Sequence, residues 1–260
     1  MSKVRAKKHL GQHFLNDENI AFKIVDSLQT EGDRKVLEVG PGMGVLTKYL
    51  LENAQYETWA IDLDQESIEY LHEKYPQLKD RIVFGDFLRY PLHKFDEKNF
   101  TVIGNFPYNI SSQIFFKVLD HRDRIDEVVG MIQKEVADRI ASPPGSKVYG
   151  ILSVFLQAFY KVEYLFTVHE NVFIPPPKVK SAVIRLTRND VEDLGCNERL
   201  FFRVVKMAFN QRRKTMRNSL KQLLHDKEAV DAELLALRPE QLSVAEFVKL
   251  TQQVELQLKE

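Results

Sequence analysis

Cysteine is almost absent from this chain: Cys196 is the only one in 260 residues. An internal disulfide needs two, so no disulfide framework and no cysteine-rich zinc site can be built, and the usage fits a reducing compartment. Nor is there an excess of charge of either sign. Lys plus Arg and Asp plus Glu each number 37, for a formal net charge of zero. An anionic partner must therefore be held by local patches, since the global field gives no help. No apolar run approaches the ~20 residues of a membrane span, and the basic N-terminus has no apolar core of a secretory signal. The expectation is a cytoplasmic protein with no membrane partner. Repeats and low-complexity tracts are also missing. His9 and His13 stand at helical i,i+4 spacing without an accompanying carboxylate or thiol, so no metal is expected. What is present is 44% hydrophobic and 28% charged residues, a composition for one packed domain plus a small second one.

The hydrophobic pattern alternates between strand and helix. Residues 1–16 form a basic segment carrying Lys3, Arg5, Lys7 and Lys8, after which Asn16 or Asp17 caps a helix through Ile20, Ile24, Val25 and Leu28. Strands are expected at 35–39, 58–61, 82–84, 100–103 and 128–132, with helices at 65–75 and after a cap at Ser111 or Ser112. Such alternation predicts an α/β fold, a parallel sheet covered on both faces. Residues 142–146 read as a surface loop, and 162–168 and 182–187 as paired late strands. From about Arg188 only helical patterns remain, so domains are expected at 1–187 and 188–260. The charge changes there too. Arg199, Arg203, Lys206, Arg212, Arg213, Lys214, Arg217 and Lys221 occur with no acid among them, while acids outnumber bases after His225. Net neutrality thus hides a basic stretch suited to nucleic acid.

Glu38-Val39-Gly40-Pro41-Gly42-Met43-Gly44 lies between a strand and a helix. Glycines there let the backbone turn sharply and approach a ligand. The spacing is G-x-G-x-G, with Val45 where a dinucleotide fingerprint requires its third small residue, which disfavours that class. Asp62 closes the second strand at the separation from which an acid accepts both ribose hydroxyls. It could instead cap the next helix, a job for which Asp64 is better placed. Asp86 closes the third strand and is either an acceptor for an adenine amino group or a turn aspartate.

Asn105-Phe106-Pro107-Tyr108 follows the fourth strand. An aromatic amine is a poor nucleophile because its lone pair is delocalised into the ring. The Asn105 side-chain oxygen and the Phe106 carbonyl can each accept one N–H, drawing the nitrogen toward a tetrahedral shape. Pro107 stiffens the turn, and Tyr108 offers a face for a base to stack on. Such catalysis is mostly positioning and electrostatics. Phe173, in Phe173-Ile174-Pro175-Pro176-Pro177-Lys178-Val179, is either the opposite wall of a base pocket or a core residue beside a proline turn.

With these blocks the chain resembles the KsgA/RsmA family of rRNA adenine N6,N6-dimethyltransferases. The resemblance is carried by 10–15, 38–44, 104–111, 173–181, 209–214 and 217–220, in the family's order. It implies a Rossmann-like class I methyltransferase domain with a small all-α C-terminal domain that binds rRNA, and S-adenosylmethionine as donor. It implies two adjacent adenosines near the 3′ end of small-subunit rRNA as target, within a pre-ribosomal small subunit, and a monomeric enzyme. Carried over, His13, Leu15, Gly40, Gly42, Asp62, Asp86 and Asn105 would hold the donor, and Asn105, Phe106, Pro107, Tyr108 and Phe173 the target base. Arg212, Arg213, Lys214 and Arg217 would bind RNA. His13 stands where many members have Asn, and Phe106 where Leu is common, so a wider ring there would bear on pocket width. Two other readings compete: an Erm-type enzyme acting on large-subunit rRNA, and an assembly factor with a vestigial site.

Overall fold

The computed structural model describes residues 4–32, 34–96, 98–226 and 228–258; Lys3 of the basic segment lies outside them. The first elements are β1 (Phe14–Leu15), α1 (Glu18–Asp26), β2 (Arg34–Val39), α2 (Val45–Glu52), β3 (Tyr56–Asp62), α3 (Gln65–Lys74), β4 (Ile82–Phe84), β5 (Phe100–Asn105), α4 (Ser111–Asp120) and β6 (Ile125–Gln133). Then come α5 (Lys134–Ala141), α6 (Ile151–Phe159), β7 (Tyr160–Val168), β8 (Phe173–Ile174) and β9 (Ser181–Arg188), followed by α7 (Glu198–Asn210), α8 (Met216–Ser219), α9 (Ala232–Ala236) and α10 (Val244–Leu258).

Seven strands form one sheet in the order β4-β3-β2-β5-β6-β9-β7. Strands β2 to β6 pair in parallel, and β9 runs antiparallel to β6. The parallel strands are apolar because both faces are covered: Val36, Leu37 and Val39 of β2 and Val102 and Ile103 of β5 are all buried. On one face Ala21, Ile24 and Val25 of α1 and Leu46 and Leu50 of α2 share a core with Val36, Ile103, Val129 and Val183. Asp17 caps α1 by accepting from the Ile20 amide at 3.0 Å. Strand order reverses between β2 and β5, and in open α/β sheets ligands bind at the carboxyl ends beside such a switch.

Two local expectations need correction. Ser111 is the first residue of α4, not its cap; Ile110 takes the cap position, and the Ser111 hydroxyl donates back to the Tyr108 carbonyl at 3.4 Å. The chain also divides differently. One compact unit comprises the described residues up to Ala137 with Val162–Arg188, and a second comprises Asp138–Lys161 with the described residues from Asn189 on. The boundary near Arg188 is therefore the last of three crossings, and 138–161 groups with the helical unit. The reason is α6, whose Leu152, Val154, Phe155, Leu156 and Phe159 are buried. Phe155 meets Phe202 of α7 edge-on at 4.4 Å, and Gln157 donates to the Ile140 and Ser142 carbonyls at 2.8 and 2.9 Å, tying α6 to the end of α5.

Candidate active site

Four turns at the carboxyl ends of the parallel strands line one cleft, together with residues 10–14 of the N-terminal segment. The first turn follows β2. Gly40 and Gly42 have φ of 70° and 54°, the left-handed region that side chains disfavour. A Cβ on Gly40 would meet nothing closer than Pro107 at 3.8 Å, so the backbone dihedral alone calls for glycine there. A Cβ on Gly42 would come within 2.8 Å of the Phe14 ring, so space is limiting as well.

The second and third turns present the two acids. Asp62, at the end of β3, is buried, and its carboxylate accepts from the Asp64 amide at 2.8 Å and the Gly42 amide at 3.3 Å. Burial pushes this carboxyl above the usual range, while those backbone donors oppose the shift. Asp64, not Asp62, caps α3, accepting from the Glu66 amide at 3.1 Å. After β4, the Gly85 amide donates to the Asp62 carbonyl at 2.9 Å, placing Asp86 beside Asp62. One Asp86 carboxylate oxygen accepts from the Leu88 amide at 2.9 Å.

Opposite these acids stands the turn after β5. Asn105 Nδ2 donates to the His13 carbonyl at 2.8 Å. The Phe106 amide donates to the Met131 carbonyl at 3.0 Å, locking the turn onto β6. The Tyr108 hydroxyl is hydrogen-bonded to Ser181 Oγ, and its ring lies 5.2 Å from that of His13, tilted 33°. His13 Nδ1 is 2.8 Å from the Pro175 carbonyl. Lys7 and Gln12 both reach the Asp64 carboxylate, which holds the N-terminal segment over the cleft. His13, Gly40, Gly42, Asp62, Asp86, Asn105, Phe106, Pro107 and Tyr108 thus line one space. Part of this space is open to solvent, as a site that admits a small molecule requires.

The model of the family described as ribosomal RNA adenine dimethylase matches residues 3–253. This chain belongs to the ribosomal RNA adenine dimethylase family. Proteins named ribosomal RNA small subunit methyltransferase A are similar to it: that of Flavobacterium johnsoniae is 61% identical over 257 residues, covering 98% of both chains. That of Cytophaga hutchinsonii is 60% identical over 252 residues, covering 96% of this chain and 98% of the relative. The crystal structure of a dimethyladenosine transferase from Plasmodium falciparum aligns at TM-score 0.78 and 25% identity, over 92% of this chain and 96% of that one. The 23S rRNA methyltransferase ErmE aligns at 0.73 and 24% identity over 93% and 99%, a likeness of fold alone. This dimethylase is an rRNA adenine methyltransferase with S-adenosylmethionine as donor. The cleft fits that donor. The Cβ-free turn admits close backbone approach, and the Asp62 and Asp86 carboxylates line the same cleft as hydrogen-bond acceptors.

Of the expected site residues of the dimethylase, Phe173 falls elsewhere and Leu15 is buried beside the cleft. Leu15 and Phe173 face each other across the β1–β8 ladder and are 4% and 2% exposed, inside the core with Ile24, Val168 and Val183. Strand alternation decides this: with Phe173 turned inward, Ile174 is turned out and 51% exposed. Phe173 is a core residue and not a wall of a base pocket. Leu15 lines a smaller cavity with Phe14, Glu38, Gly40 and Asn105. The Phe106 ring is fully buried as well. It packs against Gly104 and Gly130, where an added Cβ would come within 2.9 and 2.5 Å of it, and edge-on against Phe115 at 5.9 Å. Its size is accommodated between the two sheet glycines and α4.

Glu38, an acid within the expected strand at 35–39, has no role assigned by the sequence. It is 1% exposed, accepts from the Thr47 hydroxyl at 2.5 Å, and burial pushes its carboxyl up to about 8. Phe14, within the 10–15 block, and Lys117 carry no mark of a role in the sequence. In the helical unit Arg212 is half-buried: its guanidinium donates to the Lys147 carbonyl at 2.5 Å and the Ser146 carbonyl at 3.4 Å, with Glu240 4.0 Å away. Arg213, Lys214 and Arg217 are exposed. Among the described residues no cluster suits a metal ion, and no helix is long and apolar enough to cross a membrane.

Proposed function

We propose that this dimethylase converts two adjacent adenosines near the 3′ end of small-subunit rRNA to N6,N6-dimethyladenosine. It acts as a monomer in the cytoplasm, on a pre-ribosomal small subunit. The observation that carries the chemistry is the Asn105 amide. Its Nδ2 is committed to the His13 carbonyl, which leaves Oδ1 as the acceptor for a substrate amine at the same cleft as Asp62 and Asp86. When bound, S-adenosylmethionine supplies an electrophilic methyl on a sulfonium.

Asp62 accepts the ribose hydroxyls and Asp86 the adenine amine of the donor. Asn105 Oδ1 and the Phe106 carbonyl each accept an N–H of the target amine and localise its lone pair. These bonds strengthen as the nitrogen gains positive charge, so they favour the transition state over the ground state. No strong base is required, because the amine becomes acidic only once methylated and then releases its proton to water. Tyr108, held at its hydroxyl by Ser181, supplies the stacking face. Arg213, Lys214 and Arg217 contact phosphates. The small-subunit target rests on the names of the relatives and on the basic block from Gln211 to Lys214.

The reading is tested by incubating purified small and large subunits, each lacking adenine dimethylation, with methyl-labelled donor and mapping the product. Label is expected on N6 of two neighbouring adenosines in small-subunit rRNA only. Label in large-subunit rRNA would transfer the enzyme to the other substrate class.

A further inference from the structure

Lys117 is a buried cation with no part in the chemistry above. It projects from α4 and is 9% exposed. Its Nζ donates to the Tyr90 carbonyl at 2.6 Å and to the Leu88 carbonyl at 3.0 Å, and lies 5.5 Å from the centre of the Phe87 ring. An ammonium is a strongly hydrated point charge, and burying one is costly unless its donors are satisfied. Two carbonyls and an aromatic face satisfy this one. All three partners belong to a single turn, the one that begins at Asp86.

Besides the burial of Phe87, the remaining hydrogen bonds that hold that turn among the described residues run to its own first residue. The Arg89 and Tyr90 amides donate to the Asp86 carbonyl at 3.0 and 2.8 Å, and the Leu88 amide donates to the Asp86 carboxylate. Leu88 and Tyr90 are thereby clamped at both their amide and their carbonyl. Their amides run to Asp86, and their carbonyls run to Lys117. Asp86, Phe87 and Leu88 line the cleft, whereas Lys117 does not.

We propose that Lys117 is a positioning residue for recognition of the donor's adenine: from behind the cleft it fixes the turn, and through the Leu88 amide it fixes the rotamer of the Asp86 carboxylate. The inference rests on Asp86 as the acceptor of the adenine amine. Removing the ammonium frees two carbonyls to seek water, and the turn relaxes away from the geometry that distinguishes an amine from a carbonyl on the purine.

The test is calorimetric binding of S-adenosylhomocysteine and of S-inosylhomocysteine, which carries an oxygen in place of the amine, to wild-type, Lys117→Met, Lys117→Gln and Asp86→Ala proteins. Lys117→Met keeps the length and apolar stem of the side chain. It should weaken the adenosyl ligand roughly tenfold, in keeping with the loss of charge-assisted hydrogen bonds, while the inosyl ligand changes little, so that the preference collapses. If the Met variant does not fold, Lys117→Gln, too short to bridge both carbonyls, carries the same expectation. A preference equal to wild type overturns the proposal, as does an equal loss for both ligands, which would make Lys117 a residue of stability alone. Asp86→Ala separates the two claims. If it retains the preference while Lys117→Met loses it, the reading of Asp86 fails and the tethering of the turn by Lys117 stands.

Discussion

Glu38 holds a proton that the unfolded chain releases. Its carboxyl titrates near 8 in the fold, against an ordinary value of 4.5. The native state therefore binds more protons than the unfolded state between those values, and stability falls as pH rises from about 4.5 to 8. Glu38→Gln keeps an acceptor for Thr47 and cannot ionise. Its melting temperature relative to wild type should rise steadily between pH 5 and pH 8; parallel melting curves across that range would show that Glu38 titrates normally. Asp62 makes a different prediction. Asp62→Ala removes the acceptor proposed for the ribose hydroxyls and should weaken donor binding by roughly 1.5–3 kcal/mol. Unchanged affinity by calorimetry would remove Asp62 from the site. The two acids also mark how far single residues can be read from sequence. Asp62 and Asp64 were separable because a cap and a strand end have different neighbours. Phe173 was not separable, because its direction depends on a ladder to β1, 158 positions away in register with Leu15.

At the scale of elements, the parallel strands and the turns after them were legible, since their apolar runs end in glycine, aspartate or proline. The two-residue strands β1 and β8 carry no period to detect. Helix α6 escaped for a different reason. It is a short, strongly apolar segment, which periodicity alone does not separate from a buried strand, and it groups with the helical unit through contacts such as that of Phe155 with Phe202. The basic block shows the same limit. Spacing alone could not tell that Arg212 clamps the 143–147 loop while its neighbours face solvent. Arg212→Ala should cost stability, about 1 kcal/mol for the lost hydrogen bonds, visible as a lower melting temperature. Arg213→Ala combined with Arg217→Ala should leave melting unchanged. That pair should flatten the dependence of log affinity for small subunits on log salt by about one unit per phosphate contact. An identical salt slope would mean that this face does not touch RNA.

At the scale of the whole molecule, the donor cleft and the target turn lie in one compact unit, and the exposed arginines lie in the other. Chemistry and RNA affinity should then be separable by mutation, and Asn105→Ala is the measurement that tests this most directly. With saturating donor and enzyme in excess over undermethylated small subunits, a single turnover reports the transfer step alone. Loss of a preorganised acceptor at the developing charge should slow that step by about 10²–10³, while subunit affinity, measured in the same preparation, stays near wild type. A near-wild-type rate would contradict the account and reduce the Asn105 turn to a structural feature.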